Sequence, residues 1–133
     1  MSAGAMTSPD AVVRELFRAL DALDVARIEG LFTDDIQGVD ELSGGWRRGR
    51  GAVHDYLESV VSAGIADLRS ELSDFVAAEW DDTAVVTCVL DQSYSIAGED
   101  QRIHAPTSVV LRRADGAWRC ALLHSVPLAE PEE

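Results

Sequence analysis

The apolar residues change their period near Ala66, and no other feature of the sequence restricts the fold as much. Before that point they recur every three or four residues. Ser8-Pro9-Asp10 reads as a helix start, with a capping hydroxyl, a proline suited to the first helical position and an acid at the positive end of the helix dipole. Val12, Val13, Leu16, Phe17, Leu20 and Leu23 then form one apolar stripe. Asp24 caps a second, short helix carrying Ile28, Leu31 and Phe32, and Asp34-Asp35 end it. A short strand is expected over Ile36 to Glu41, with a turn at Ser43-Gly44-Gly45. Gly49-Arg50-Gly51 opens a third helix that buries Val53, Tyr56, Leu57, Val60 and Val61, and Gly64 stops it.

From Ala66 onward the period falls towards two. Leu68, Leu72 and Val76 are expected on one face of a long strand, which Trp80-Asp81-Asp82 turns. Thr83 to Ile96 is rich in β-branched residues and reads as a second strand. Ala97 to Asp100 is a hairpin loop, Gln101 to Arg113 a third strand, Asp115-Gly116 a tight-turn signal, and Trp118 to Val126 a fourth strand. Helices followed by a meander define an α+β architecture. Long strands in a small sheet twist and curl. The expected shape is a cone-shaped barrel, with three N-terminal helices packed on a strongly curved, mainly antiparallel sheet around a cavity.

Length and charge restrict function further. The chain suits a single domain over residues 8–127, between a small polar leader (1–7) and an acidic tail (128–133). Eleven basic against 24 acidic residues leave a net charge of −13, which argues against a nucleic-acid or anionic membrane surface. No run approaches the length of a membrane span, and Met1 to Thr7 lacks the pattern of a secretion signal. Cys88 and Cys120 form no disulfide framework and fit a reducing cytoplasm. The histidines and cysteines lack metal-ligand spacing, so neither a metal nor a cofactor is expected. No nucleophile elbow is present.

Leu31-Phe32-Thr33-Asp34-Asp35, Gly49-Arg50-Gly51-Ala52-Val53, and Val110 to Arg119 with His124-Ser125 close behind resemble the SnoaL-like and ketosteroid-isomerase-like families of the nuclear-transport-factor-2-like superfamily. The resemblance runs from about Asp10 to Pro127. It implies the cone fold, a homodimer, and a function drawn from a set of isomerases, cyclases, dehydratases and non-catalytic modules, among which fold alone does not choose. Ketosteroid isomerase uses a carboxylate base and two oxyanion donors, a tyrosine and a protonated aspartate. By that resemblance the base falls on Asp40, the tyrosine on Leu16 and the aspartate on Ser108. The base is kept and both strong donors are lost. Loss of one such donor typically costs about 10²–10³ in rate, which argues against a steroid isomerase of that mechanism.

Asp40 is accordingly the leading catalytic candidate, as a base next to a carbonyl, against the reading of one surface acid among many. His124 shares strand parity with Trp118 and Cys120, which places it in the cone as an acid, a base or a hydrogen-bonding group, or as a satisfied core histidine. Ser108 would be a weak oxyanion donor. His104 shares its parity and either looks into the cavity mouth or is solvated. His54 is expected to face solvent. Phe17, Leu20, Tyr56, Leu57, Tyr94 and Trp118 are the expected apolar lining, and Trp46 a lid. The arginines of the Gly44–Gly51 segment are read as solvating the loop or pairing with local acids. Two functions stand: proton-transfer chemistry on a small apolar, carbonyl-bearing molecule, and non-catalytic ligand binding or dimerisation through the same fold.

Overall fold

A computed structural model describes residues 8–40 and 43–128. The leader, Glu41-Leu42 and residues 129–133 lie outside the described residues, so the expected boundaries of the leader and tail are not addressed. The element order is α1 (Pro9–Asp21), α2 (Val25–Gly30), β1 (Phe32–Val39), β2 (Arg47–Arg48), α3 (Arg50–Ser62), β3 (Ala66–Trp80), β4 (Thr83–Ile96), β5 (Glu99–Ala114) and β6 (Ala117–Ser125). The strands form one sheet in the order β2-β1-β6-β5-β4-β3. Every pairing is antiparallel except β1 with β6. The helices cover one face, and the core between them holds Val12, Val13, Leu16, Ile28, Ile36, Val86, Val109 and Leu111, each almost fully buried.

The caps act where the sequence places them. Ser8 Oγ accepts from Ala11 N–H and Asp24 Oδ1 accepts from Arg27 N–H, which satisfies amides that α1 and α2 leave unpaired. A buried acid then ties the two helices together: Glu15 on α1 takes Arg18 from its own helix and Arg27 from α2. At the other end of α1, Asp21 accepts from the backbone N–H (3.0 Å) and hydroxyl (2.7 Å) of Ser70, which fixes the helix to β3.

Four expectations need correction. The second helix ends at Gly30, and Phe32 opens β1 rather than closing the helix. The cause is long-range: Leu31 C=O accepts from Cys120 N–H at 2.7 Å, and Phe32 pairs in register with Cys120, so β6 draws the chain into the sheet and carries Asp34 and Asp35 with it. The 97–100 loop shrinks to Ala97-Gly98, whose positive φ angles (54° and 81°) make a two-residue turn. Val76 does not share a face with Leu68 and Leu72. The β3–β4 register shifts between Ser73 and Val76, next to Asp74 at φ 57°, so Phe75 turns inward and Val76 is 62% exposed.

The fourth correction bears on function. The β5–β6 register shifts between Val110, paired with Leu122, and Leu111, paired with Cys120. The extra residue, Ala121, reverses the alternation along β6. Trp118 and Cys120 point into the core, as do Leu123 and Ser125 further along. His124 therefore lies on the outer face, directly opposite Ser108.

Candidate functional site

A partly enclosed pocket of about 110 Å³ lies between the helices and the inner face of the sheet. Its body is apolar, with Phe17 and Leu20 from α1, Ile28 from α2, Val53 and Leu57 from α3, Ile36 from β1 and Leu90 from β4 on its walls. The polar groups on those walls include Asp40, Ser43, Arg47, Tyr56, Gln92, Tyr94 and Ser125. An apolar chamber with a few polar groups is the ordinary form of a small-molecule site.

Asp40 follows β1 directly, and a reciprocal pair of bonds holds it there. Its Oδ1 accepts from Ser43 N–H at 2.9 Å, while Ser43 Oγ accepts from Asp40 N–H at 3.0 Å. The same Oδ1 accepts from Tyr56 O–H at 2.7 Å, which links the loop after β1 to the inward face of α3. Tyr56 in turn lies under Arg47, whose guanidinium carbon is 5.6 Å from the ring centroid. Arg47 Nη2 donates to Ser43 C=O at 2.7 Å. One loop thus places a carboxylate, a phenol and a guanidinium on one wall, and Asp40 is only half-buried there.

The expected site residues separate into two groups. Asp40, Phe17, Leu20, Tyr56, Leu57 and Tyr94 stand on the pocket wall. The others do not. Trp118 is buried in the core beneath the Arg113 guanidinium. His124 lies on the outer face because of the β6 bulge; Ser108 lies there by the regular alternation of β5, whose inward position beside it is Thr107, hydrogen-bonded to Ser125 at 3.0 Å. His104 is on that outer face too, bound to Asp91 across β4 and β5 (2.6 Å). Trp46 is no lid in this arrangement. It packs on the His124 ring (centroids 5.8 Å apart), with the Arg48 guanidinium 5.3 Å from its own ring. His54 faces solvent as expected, with its side chain 45% exposed, and its Nδ1 contacts Glu29 at 3.0 Å. Among the described residues, no group of three or more His, Cys, Asp or Glu side chains converges as a metal site.

Arg47 is one of several wall residues not expected from the sequence, with Ser43, Gln92 and Ser125. A signal was present: Trp46, Arg47 and Arg48 alternate across an edge strand, so the middle residue faces opposite to its neighbours. Arg47 also pairs with Gly38, which presents no side chain beneath it.

A cone of three helices on a six-stranded sheet, with a pocket between the layers, is the architecture of the NTF2-like proteins. Over residues 10–129 the sequence matches the SnoaL-like domain family, and the chain belongs to that family. No curated protein matches it. Among solved structures, a "putative dehydratase" of the NTF2-like family from Streptomyces avermitilis superposes with a TM-score of 0.81 at 16% identity, covering 91% of this chain and 94% of that one. A ketosteroid isomerase-like protein from Erwinia carotovora atroseptica gives 0.78 at 17% identity, with the same coverages of 91% and 94%. A "putative scytalone dehydratase" from Novosphingobium aromaticivorans gives 0.81 at 15% identity, covering 90% and 81%. At these identities the likeness is one of fold. No described helix is long and apolar enough to cross a membrane.

Proposed function

We propose that the pocket binds a small, mostly apolar, carbonyl-bearing molecule and that Asp40 moves a proton on it, in an isomerisation, cyclisation or dehydration that needs no cofactor. One observation carries this reading: the Asp40 carboxylate stands on the wall of an otherwise apolar chamber, with one oxygen fixed by Tyr56 O–H and Ser43 N–H. A positioned carboxylate next to a bound C–H or O–H is the minimum apparatus of general acid–base catalysis. The names of the Streptomyces and Novosphingobium neighbours agree with that class of chemistry. We further propose a cytoplasmic homodimer joined through the outer face, where Val85, Thr87 and Val89 of β4 lie beside Val76 of β3.

A second reading rests on a separate observation. Of the three expected catalytic side chains only Asp40 reaches the pocket, while His124 and Ser108 stand on the opposite face of the sheet. A chamber with one acid–base group also serves a non-catalytic ligand-binding module. Asp40→Asn distinguishes the two, because asparagine keeps an oxygen for Tyr56 and Ser43 to bond. After a thermal-shift screen of small carbonyl compounds has supplied a substrate, the catalytic reading expects unchanged binding and turnover lower by about 10²–10⁴-fold. Unchanged turnover would remove Asp40 from the mechanism.

A further inference from the structure

We infer that the ligand of this pocket carries a carboxylate at one end of a small apolar body, and that Arg47 receives it. The inference rests on the pocket being the binding site, as proposed above.

Among the described residues, six of the eleven arginines reach a carboxylate within 4.0 Å: Arg14, Arg18, Arg27, Arg50, Arg112 and Arg113. Arg47, Arg48, Arg69, Arg102 and Arg119 reach none among the described residues, and of these five Arg47 alone lines the pocket. Arg47 stands on the wall of the pocket and forms no ion pair among the described residues, although Asp40 is on the same wall. The one hydrogen bond of its side chain among them runs from Nη2 to Ser43 C=O, and a guanidinium has five N–H donors in a rigid fork. That bond and the Tyr56 ring beneath it are the contacts of a side chain that is otherwise exposed. The remaining fork suits the two oxygens of a carboxylate.

The neighbours set the polarity of the bound molecule. The Asp40 carboxylate would repel an anionic group placed against it, so the charged end belongs at Arg47 and the uncharged, reacting end at Asp40. The apolar body then occupies the chamber between Leu57, Ile36 and Leu123. The volume of about 110 Å³ accommodates a body of about the size of a single ring. Arg47 is thus a specificity-determining residue.

The test uses two probes of equal shape, 3-phenylpropionate and 3-phenylpropionamide, titrated into the full chain and followed by protein NMR at the Leu57, Ile36 and Leu123 methyls. The carboxylate is expected to bind at least about tenfold more tightly than the amide, with a preference that weakens as salt is raised. Arg47→Gln should abolish the preference and Arg47→Lys should keep part of it. Arg102→Gln, an exposed change on the outer face, should leave it intact. Equal affinities in the unmodified protein, or a preference that survives Arg47→Gln, overturn the role of Arg47 and leave the pocket reading standing. Failure of both probes to shift these methyls at millimolar concentration overturns the two together.

Discussion

Replacing Tyr56 by Phe removes one oxygen and leaves the ring, so it isolates the bond that fixes the candidate base. Tyr56 O–H donates to Asp40 Oδ1 at 2.7 Å. Hydrogen bonds to charged groups contribute about 1.5–3 kcal/mol when buried. This pair is half-buried, and Ser43 N–H continues to serve the same oxygen, so a loss of about 1–2 kcal/mol is expected. For a domain of this length that lowers Tm by about 4–7 °C. Urea unfolding followed by circular dichroism measures it, with Asp40→Asn as the second arm of a double-mutant cycle. In the Asp40→Asn background the bond is neutral and about half as strong, so Tyr56→Phe should cost about half as much there. Equal stability of Tyr56→Phe and the unmodified protein in both backgrounds would show that the carboxylate is not anchored by Tyr56, and the geometry argued for the site would fail.

Further outcomes follow from the same structure. Phe75 lies under the Arg14 guanidinium (3.9 Å) and packs on the core, so Phe75→Ala should cost about 2–3 kcal/mol in urea unfolding. Val76→Ala, on the far side of the bulge, should stay within about 0.5 kcal/mol; the opposite order would move the bulge. The contact with Glu29, first through the hydrogen bond and then through its charge, holds His54 above its ordinary value of 6.5. Its stabilising contribution is therefore complete below about pH 6.5 and is lost as pH rises through the raised value. NMR titration of the imidazole should show that upward shift, and an ordinary titration would contradict the contact. Burial raises both thiols, Cys120 to about 12, so neither should react with a disulfide reagent at pH 8 until the protein is unfolded. Val85→Asp places a charge on the outer face of β4 and should convert the proposed dimer to monomer in sedimentation experiments, with the helical content unchanged.

Much of this fold is legible because local chemistry and tertiary packing agree. Ser8-Pro9 starts α1, Asp24 caps α2, and Asp115-Gly116 turns β5 into β6, each through a residue whose local preference matches its place. The parallel pairing of β1 with β6 is not legible, because residues so far apart in sequence carry no shared period, and it is this pairing that removes Phe32 from the second helix. The bulges are a harder case. Ala121 carries no glycine, proline or other mark, yet its insertion alone sends His124 to the opposite face from Trp118. Alternation extended over nine residues is reliable only while the ladder is unbroken. The apolar half of the site was therefore readable from α1 and α3, whose stripes are regular. Of the polar groups, Asp40, Tyr56 and Tyr94 are expected from the sequence, whereas Ser43, Arg47 and Ser125 depend on a loop, a two-residue edge strand and that bulge.

Hydrogen exchange on a bound ligand tests the central claim most directly. With a carbonyl compound that binds the pocket, incubated with protein in heavy water, NMR follows deuterium entering the carbon next to the carbonyl. Exchange is expected to be faster than in buffer with the unmodified protein, and slowed by about 10²–10⁴-fold with Asp40→Asn at equal ligand occupancy. Exchange at the same rate in the two proteins would contradict a proton-transferring Asp40, and the pocket would then be a binding site alone.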